Sequence, residues 1–459
     1  GVLDATQAGL PQGLRTAPQR VVPRVGFAWR PTANEKTVLR GGFGVYDTPS
    51  MGSIYYALTG TLQSNTATYN NIAANGGPIF QWPQITTGGA GAVQAFGNAY
   101  FGTANDPNWK EPYTMQWNFS VDRDLGFNTG LRVSYIGQGT RDLVYAPNLN
   151  QSADSTTFYA EQPLSTRPYP NWGVVNDRAV GATMNYNSAQ IEIHHRFRHG
   201  LTFDTTYTFA KNLADDQGPN PQGSFAGENA GGRSMDAYDL KAEYGPVWGT
   251  RRNRWLTTAV YQLPFGKGQK FMSNASRFAD AIVGGWNLSN IFLIQSGPFE
   301  TPYFSSGDPS GSGSGLIGRP QHPDLIGNPS VSNPTASGWV NPAAFACPGT
   351  PGWTIGNSCT IGVNPATDLA PIGRFGNAGV GIVTGPGTVN LNTSLGKAFA
   401  INERVKLKIE ASFTNLFNHV NLSDPVLAID NPSFGQITTA RGSDFGGYRT
   451  GQISARVDF

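Results

Sequence analysis

The chain has 459 residues, and only 14% of them are charged, against roughly 25% in an average soluble protein. A net charge of +2 without a basic cluster argues against nucleic acid as a partner, and no stretch reaches the ~18 apolar residues of a transmembrane helix. The two cysteines, Cys347 and Cys359, have no second Cys or His pair nearby; this argues against zinc and fits a local disulfide in an oxidising compartment.

Helical patterning is nearly absent, with Ser276 to Ile282 the best short candidate. Period-two alternation, the mark of a half-buried strand, recurs throughout. In chain order it predicts strands over roughly 20–30, 37–47, 113–124, 129–138, 187–198, 201–212, 251–263, 284–296, 388–398, 405–413 and 448–459. In the third, Met115, Trp117, Phe119 and Val121 share a face opposite Gln116, Asn118 and Asp122. In the tenth, Val405, Leu407, Ile409, Ala411 and Phe413 oppose Lys406, Lys408, Glu410 and Ser412. The last strand places Ile453, Ala455, Val457 and Phe459 on one side, and Gln452, Ser454, Arg456 and Asp458 on the other. An alternation that closes on an aromatic fits a transmembrane β-barrel, apolar toward lipid and polar toward the lumen.

The connections carry as much information as the strands. Short links at 31–36, 125–128, 198–200 and 399–403, with an intermediate one at 264–283, alternate with long ones at 48–112, 139–186, 213–250, 297–387 and 417–447. Loops beyond ~15 residues are uncommon in compact soluble domains, whereas outer-membrane barrels pair short periplasmic turns with long extracellular loops. The expected fold is therefore all-β, an antiparallel transmembrane barrel of about eleven strands. Single-chain bacterial barrels have even strand numbers, and eleven is half of the 22 found in plugged transporters. Residues 1–459 are expected to be the C-terminal portion of one such barrel domain.

Several segments carry a resemblance. They are Gly373-Arg374-Phe375-Gly376-Asn377, the run from Gly385-Pro386-Gly387 through Leu395, and Asn415-Leu416-Phe417-Asn418-His419. With them go Leu39 to Gly44, Tyr207 to Asn212, Gln262 to Gly268 and Gly284-Gly285-Trp286. In order and spacing the chain resembles the TonB-dependent outer-membrane transporters of the Oar-like group. That resemblance implies a 22-stranded barrel around a plug, with plug, TonB box and signal peptide upstream of Gly1. It implies TonB as partner and uptake of an oligosaccharide, peptide or siderophore across the outer membrane. Gln452, Ser454, Val457 and Phe459 resemble the terminal signal read by the outer-membrane assembly machinery. A structural or adhesive barrel without active transport is the alternative.

Covalent chemistry is not expected. The sequence holds no HExxH, Walker A or nucleophile-elbow pattern, each of which needs its own structural setting. No cofactor or metal is expected either: adjacent strand residues such as His194 and His195 face opposite sides, and Asp215-Asp216 reads as a solvated loop start. Gly311-Ser312-Gly313-Ser314-Gly315 reads as a flexible loop tip. Trp29, Tyr46, Trp117, Tyr207, Trp255, Tyr261 and Trp286 suit interfacial girdles. Trp82, Trp109, Trp172, Trp248, Trp339 and Trp353 fall in long loops, where they either pack the loops together or stack on a ligand. Trp109, Trp172, Trp339 and Trp353 are the candidate ligand contacts.

Overall fold

The computed structural model describes residues 20–47, 102–104, 106, 109–170, 172–173, 175–215, 234–314, 321–350, 352–401, 405–442 and 447–459. Trp82, Asp216 and Gly315 lie outside the described residues. Eleven long strands follow one another: β1 (Arg24–Trp29), β2 (Thr37–Asp47), β3 (Tyr113–Gly126), β4 (Thr129–Tyr145), β5 (Ala179–Arg198), β6 (Leu201–Ala214), β7 (Asn253–Gln262), β8 (Trp286–Gln295), β9 (Thr388–Ala400), β10 (Lys406–Thr414) and β11 (Thr450–Asp458). Each pairs antiparallel with the next, in strict chain order. A short helix, α1 (Arg277–Val283), stands in the β7–β8 link. Among the described residues no helix is long and apolar enough to cross a membrane, which says nothing of strands.

The register fixes two faces. Val25, Phe43, Trp117 and Gly137 lie side by side across β1 to β4, and Tyr207, Trp255 and Ile294 across β6 to β8. Phe27, Phe119, Tyr207, Trp255 and Ile409 on this face are exposed, as are Ile453 and Val457 on β11 and Phe459 just past its end. The opposite face carries Gln116, Arg132, Glu192, Asp204, Asn392, Glu410 and Arg456, placed by the same ladders. A one-residue slip would exchange the faces of a whole strand, so the apolar side must be dictated by its surroundings.

Two features hold this register. The β3–β4 link turns on Phe127 and Asn128, and the β5–β6 link on His199 and Gly200, all at positive φ. Such tight turns match the right-handed twist of the flanking strands. Trp117 lies over Gly137 on the neighbouring strand, where a β-carbon would collide with the indole ring. The ring shields the glycine backbone, a cross-strand pairing that pins register.

Strands β4 and β5 are longer than their alternation suggests. They run on through Tyr145 and back to Ala179, so the link between them spans 146–178 rather than 139–186. The reason is local: register shifts between Thr140 and Leu143 and between Leu143 and Val144 break the period there, and Thr140, Ala179 and Ala182 are buried. β1 and β11 form no ladder with each other among the described residues.

Candidate functional site

At the long-link end, the connections fold into a second body, here called the cap. Its core is Phe304, Val340, Ala344, Phe345, Cys347, Cys359, Ile361, Val383, Leu427, Ile429 and Phe434, all buried. Cys347 and Cys359 are joined by a disulfide, with Cα atoms 5.6 Å apart. Phe345 and Phe434 meet edge-on, with ring centroids 5.5 Å apart. The β8–β9 and β10–β11 links are laced together, Tyr303 N–H donating to Leu427 O and Ile429 N–H to Tyr303 O. Asn150 reaches from the β4–β5 link and donates to three backbone carbonyls, those of Tyr169, Trp172 and Gly173. Side-chain amides thus satisfy loop carbonyls that no ladder could reach.

Two of the segments that carried the resemblance, those around Arg374 and Asn415, turn out to fasten this cap. Arg374 makes a bidentate pair with Asp324 at 2.8 and 2.7 Å, which holds its guanidinium above its ordinary value. The Asn377 side chain accepts from Leu325 N–H. Asn415 adopts a positive φ of 46° and donates to His419 O and Gly447 O, both around the β10 end.

The flexible loop tip expected over Gly311 to Gly315 is not what forms. Ser310, Ser312 and Ser314 are buried, and Asp308, buried among them, accepts from Ser310 Oγ, Gly313 N–H and Gln321 Nε2. Burial raises the Asp308 carboxyl above its ordinary range. Glycine and serine there serve close packing and hydroxyl bonding, which composition alone does not distinguish from a linker.

The candidate tryptophans are drawn into the same packing. Trp109 is buried; Trp172, Trp339 and Trp353 are half-buried. The Trp339 indole donates to Thr384 O at 2.8 Å and that of Trp353 to Ser358 O at 3.3 Å. Trp339 and Trp353 both pack against the buried core of the cap. At the cap base, Glu300 is fully buried. Burial, then the neighbouring Asp424 carboxylate, push its carboxyl up to about 9, although Arg441 and Arg251 oppose them.

The polar face of the sheet has an organisation that single-strand patterns do not reveal. Near the short turns a ladder of charges crosses five strands. Arg40 pairs with Asp122 at 3.0 Å, Asp122 with Arg132 at 2.6 Å, and Arg132 approaches Glu192 at 3.8 Å. His194 then stands 3.2 Å from Glu192 and 2.5 Å from Asp204. His195 turns the other way and stacks on Phe203. A concave space of about 890 Å³ opens beside this ladder. Asp215 lies eleven residues beyond Asp204, roughly 35 Å along β6, where it accepts from Thr183 Oγ1 at 3.0 Å. On β7 and β8 the same face also carries apolar side chains: Leu256 opposes Leu293, and Val260 and Ile291 stand diagonally across from each other, opposite Ser289 and Thr258. Val260 and Ile291 are 41% and 49% exposed. The signal was present as the unbroken run Ile291-Phe292-Leu293-Ile294, since a strand apolar on both sides expects cover on both.

The model of a family described as an outer membrane beta barrel domain matches residues 2–452. The chain belongs to that family. Its apolar face is therefore the lipid face, its polar face the lumen, and its location the outer membrane of a Gram-negative cell. The family is one of membrane barrels rather than enzymes. By the loop rule of such barrels, the cap is extracellular and the short turns periplasmic. No curated protein matches the chain significantly. Among solved structures it is similar to the outer membrane transporter YddB from Escherichia coli, at 8% identity and a TM-score of 0.49, over 96% of this chain and 40% of that one. It is also similar to BauA, the ferric preacinetobactin receptor from Acinetobacter baumannii, at 9% identity and a TM-score of 0.37, over 95% and 36%. For the copper transporter OprC the values are 9% and 0.37, over 95% and 40%. The chain thus spans about 40% or less of the length of these three transporters.

Proposed function

We propose that residues 1–459 form the C-terminal part of the barrel of a TonB-dependent outer-membrane receptor of the Oar-like kind, which captures a ligand at its cap and passes it through a plugged lumen. The observation that carries this reading is the lumenal surface of β7 and β8. Val260 and Ile291 face the lumen beside Leu256 and Leu293. Apolar side chains on a water-filled channel wall gain nothing, whereas against a packed plug each fully covered one contributes roughly 1.5–3 kcal/mol. The charge ladder from Arg40 to Asp204 supplies the polar half of the same plug-facing surface. Among the described residues β1 and β11 pair with no further strand at their outer edges, which fits a wall completed by further strands, since open edges are not tolerated in lipid. Candidate ligands are an oligosaccharide, a peptide or a siderophore. Trp109, Trp172, Trp339 and Trp353 act in this reading by shaping the cap. Gln452, Ser454, Val457 and Phe459 serve as the assembly signal. TonB acts from the periplasm through a segment upstream of the barrel.

A structural or adhesive barrel is the second reading, favoured by the disulfide-tied core that makes the cap a folded body rather than a set of searching loops. Intact mass and N-terminal sequencing of the native protein, extracted from outer membranes with detergent, separate the two. A chain roughly twice this long that begins with a plug and TonB box is expected. A mature chain that starts near Gly1 overturns the transporter reading.

A further inference from the structure

One lipid-side feature lies outside the strand wall. Residues 263–285, between β7 and β8, fold back on themselves at the periplasmic end. Phe271 N–H donates to Pro264 O and Gly266 N–H to Phe271 O, while the Phe265 and Phe271 rings sit 5.5 Å apart. Asp280 accepts from Lys267 N–H at 2.6 Å and so ties the first arm to α1. Ser276 caps the helix, accepting from Ala279 N–H at 3.2 Å.

The end of α1 is fixed to the outside of the wall. The Trp286 indole donates to Ile282 O at 3.0 Å, and Lys397 Nζ donates to Ile282 O at 2.9 Å and to Gly284 O. Trp286 and Lys397 are register partners next to Leu288 and Leu395, on the lipid face. The Lys397 ammonium, buried, also lies 4.8 Å from the Trp286 ring. A cation at a helix C-terminus suits the exposed carbonyls there. It also places the helix beside the bilayer, not beneath the lumen.

What the segment then presents is amphipathic. Phe278 and Ile282, one turn apart, are 78% and 56% exposed, and Phe265, Phe271 and Met272 are exposed beside them. Lys267, Lys270 and Arg277 are exposed as well, while the one carboxylate, Asp280, is engaged with Lys267 N–H. We propose that residues 263–285 form an interfacial anchor, seating Phe271, Met272, Phe278 and Ile282 at the acyl boundary of the inner phospholipid leaflet, with Lys267, Lys270 and Arg277 on anionic headgroups. The apolar patch is continuous with the lipid face at Trp286 and Leu288, and its charge complements phosphatidylglycerol. An element with an apolar side and a cationic side lies in the membrane plane in this way. The inference rests on the outer-membrane family alone, and stands whether or not the barrel transports.

The test uses the detergent-extracted native protein, reconstituted in vesicles of phosphatidylethanolamine and phosphatidylglycerol that carry a diazirine in the acyl chain. Photolysis should cross-link peptides from 271–286 as well as wall peptides from 405–414. Labelling of the wall without 271–286 overturns the proposal, since it places the segment in water or under a protein partner. Nitroxides at Phe278→Cys and Ile282→Cys, in the folded fraction, give the second measurement. Their collisions should favour oxygen over a water-soluble nickel chelate, with the reverse at Asn34→Cys in the β1–β2 turn. Chelate preference at all three sites, or shielding of both helix sites from both reagents, overturns it. Replacing phosphatidylglycerol by phosphatidylcholine should reduce the oxygen preference, and Lys267→Gln, Lys270→Gln, Arg277→Gln together should remove that lipid dependence. Immersion that ignores lipid charge overturns the headgroup contact.

Discussion

The wall and the cap use the same side chains in opposite ways. In the wall, Phe119, Tyr207 and Ile409 are 45%, 39% and 40% exposed; in the cap, Phe304, Ile361 and Ile429 are at most 1% exposed. The wall keeps backbone groups paired strand to strand and leaves its apolar surface for lipid. The cap stands in water and must bury its own core, with a disulfide and asparagine fasteners where no ladder exists. One chain therefore folds against two solvents, and the two regions should fail independently.

The sharpest way to break that comparison is to damage one core. Phe345→Ala removes a ring packed edge-on against Phe434, and a buried Phe→Ala change costs about 3–5 kcal/mol. The cap is expected to open while the wall persists. Proteolysis should then cut within 297–387, and the barrel should keep its heat-modifiable migration in detergent gels. Loss of both together would show that wall and cap fold as one cooperative unit.

The converse test damages the wall. Ile409 stands in the middle of the nine-residue β10, facing lipid, and Glu410 beside it faces the lumen, where it accepts from Ser394. A lysine at mid-bilayer costs about 2–4 kcal/mol, so Ile409→Lys should sharply lower the assembled, heat-modifiable fraction. Glu410→Leu should lower it far less. Equal losses would mean that the two faces are interchangeable.

How much of this was legible follows from the same contrast. All eleven long strands were readable, because lipid on one side and lumen on the other impose alternation, as in Lys406 to Phe413, although the apolar run Ile291 to Ile294 of β8 interrupts it. Their ends were not readable toward the cap in β4 and β5, since register shifts at Thr140 and Leu143 break the period there. The cap itself was nearly silent. Its fasteners, Asn150, Arg374 and Asn415, act on partners distant in sequence or on backbone carbonyls, which leave no period. The buried serines around Asp308 have the composition of a linker. The charge ladder was visible only as scattered charges, because its order arises across strands, not along one. The helix was legible as the short segment Ser276 to Ile282, but its outward placement depends on Lys397, more than a hundred residues away.

The finest test asks whether the cap base is held by a proton. Glu300 is fully buried, and its carboxyl is raised from 4.5 to about 9, first by burial and then by Asp424. Between those values the folded cap holds a proton that the unfolded chain has released. Folding is then favoured by acid: this contribution is complete below about pH 4.5, declines as pH rises, and is gone above about pH 9. The steepest slope is about 1.4 kcal/mol per pH unit. Glu300→Gln keeps the shape, cannot ionise and should remove that slope. Near-ultraviolet circular dichroism of thermal unfolding, at about pH 6 and about pH 8.5, reads the difference. The native cap should melt earlier at the higher pH, and the Gln variant should show much less change. An identical pH dependence in both would place the charge at the cap base on Asp424, Arg251 and Arg441 alone. The join between wall and cap would then be an ion cluster rather than a buried neutral acid.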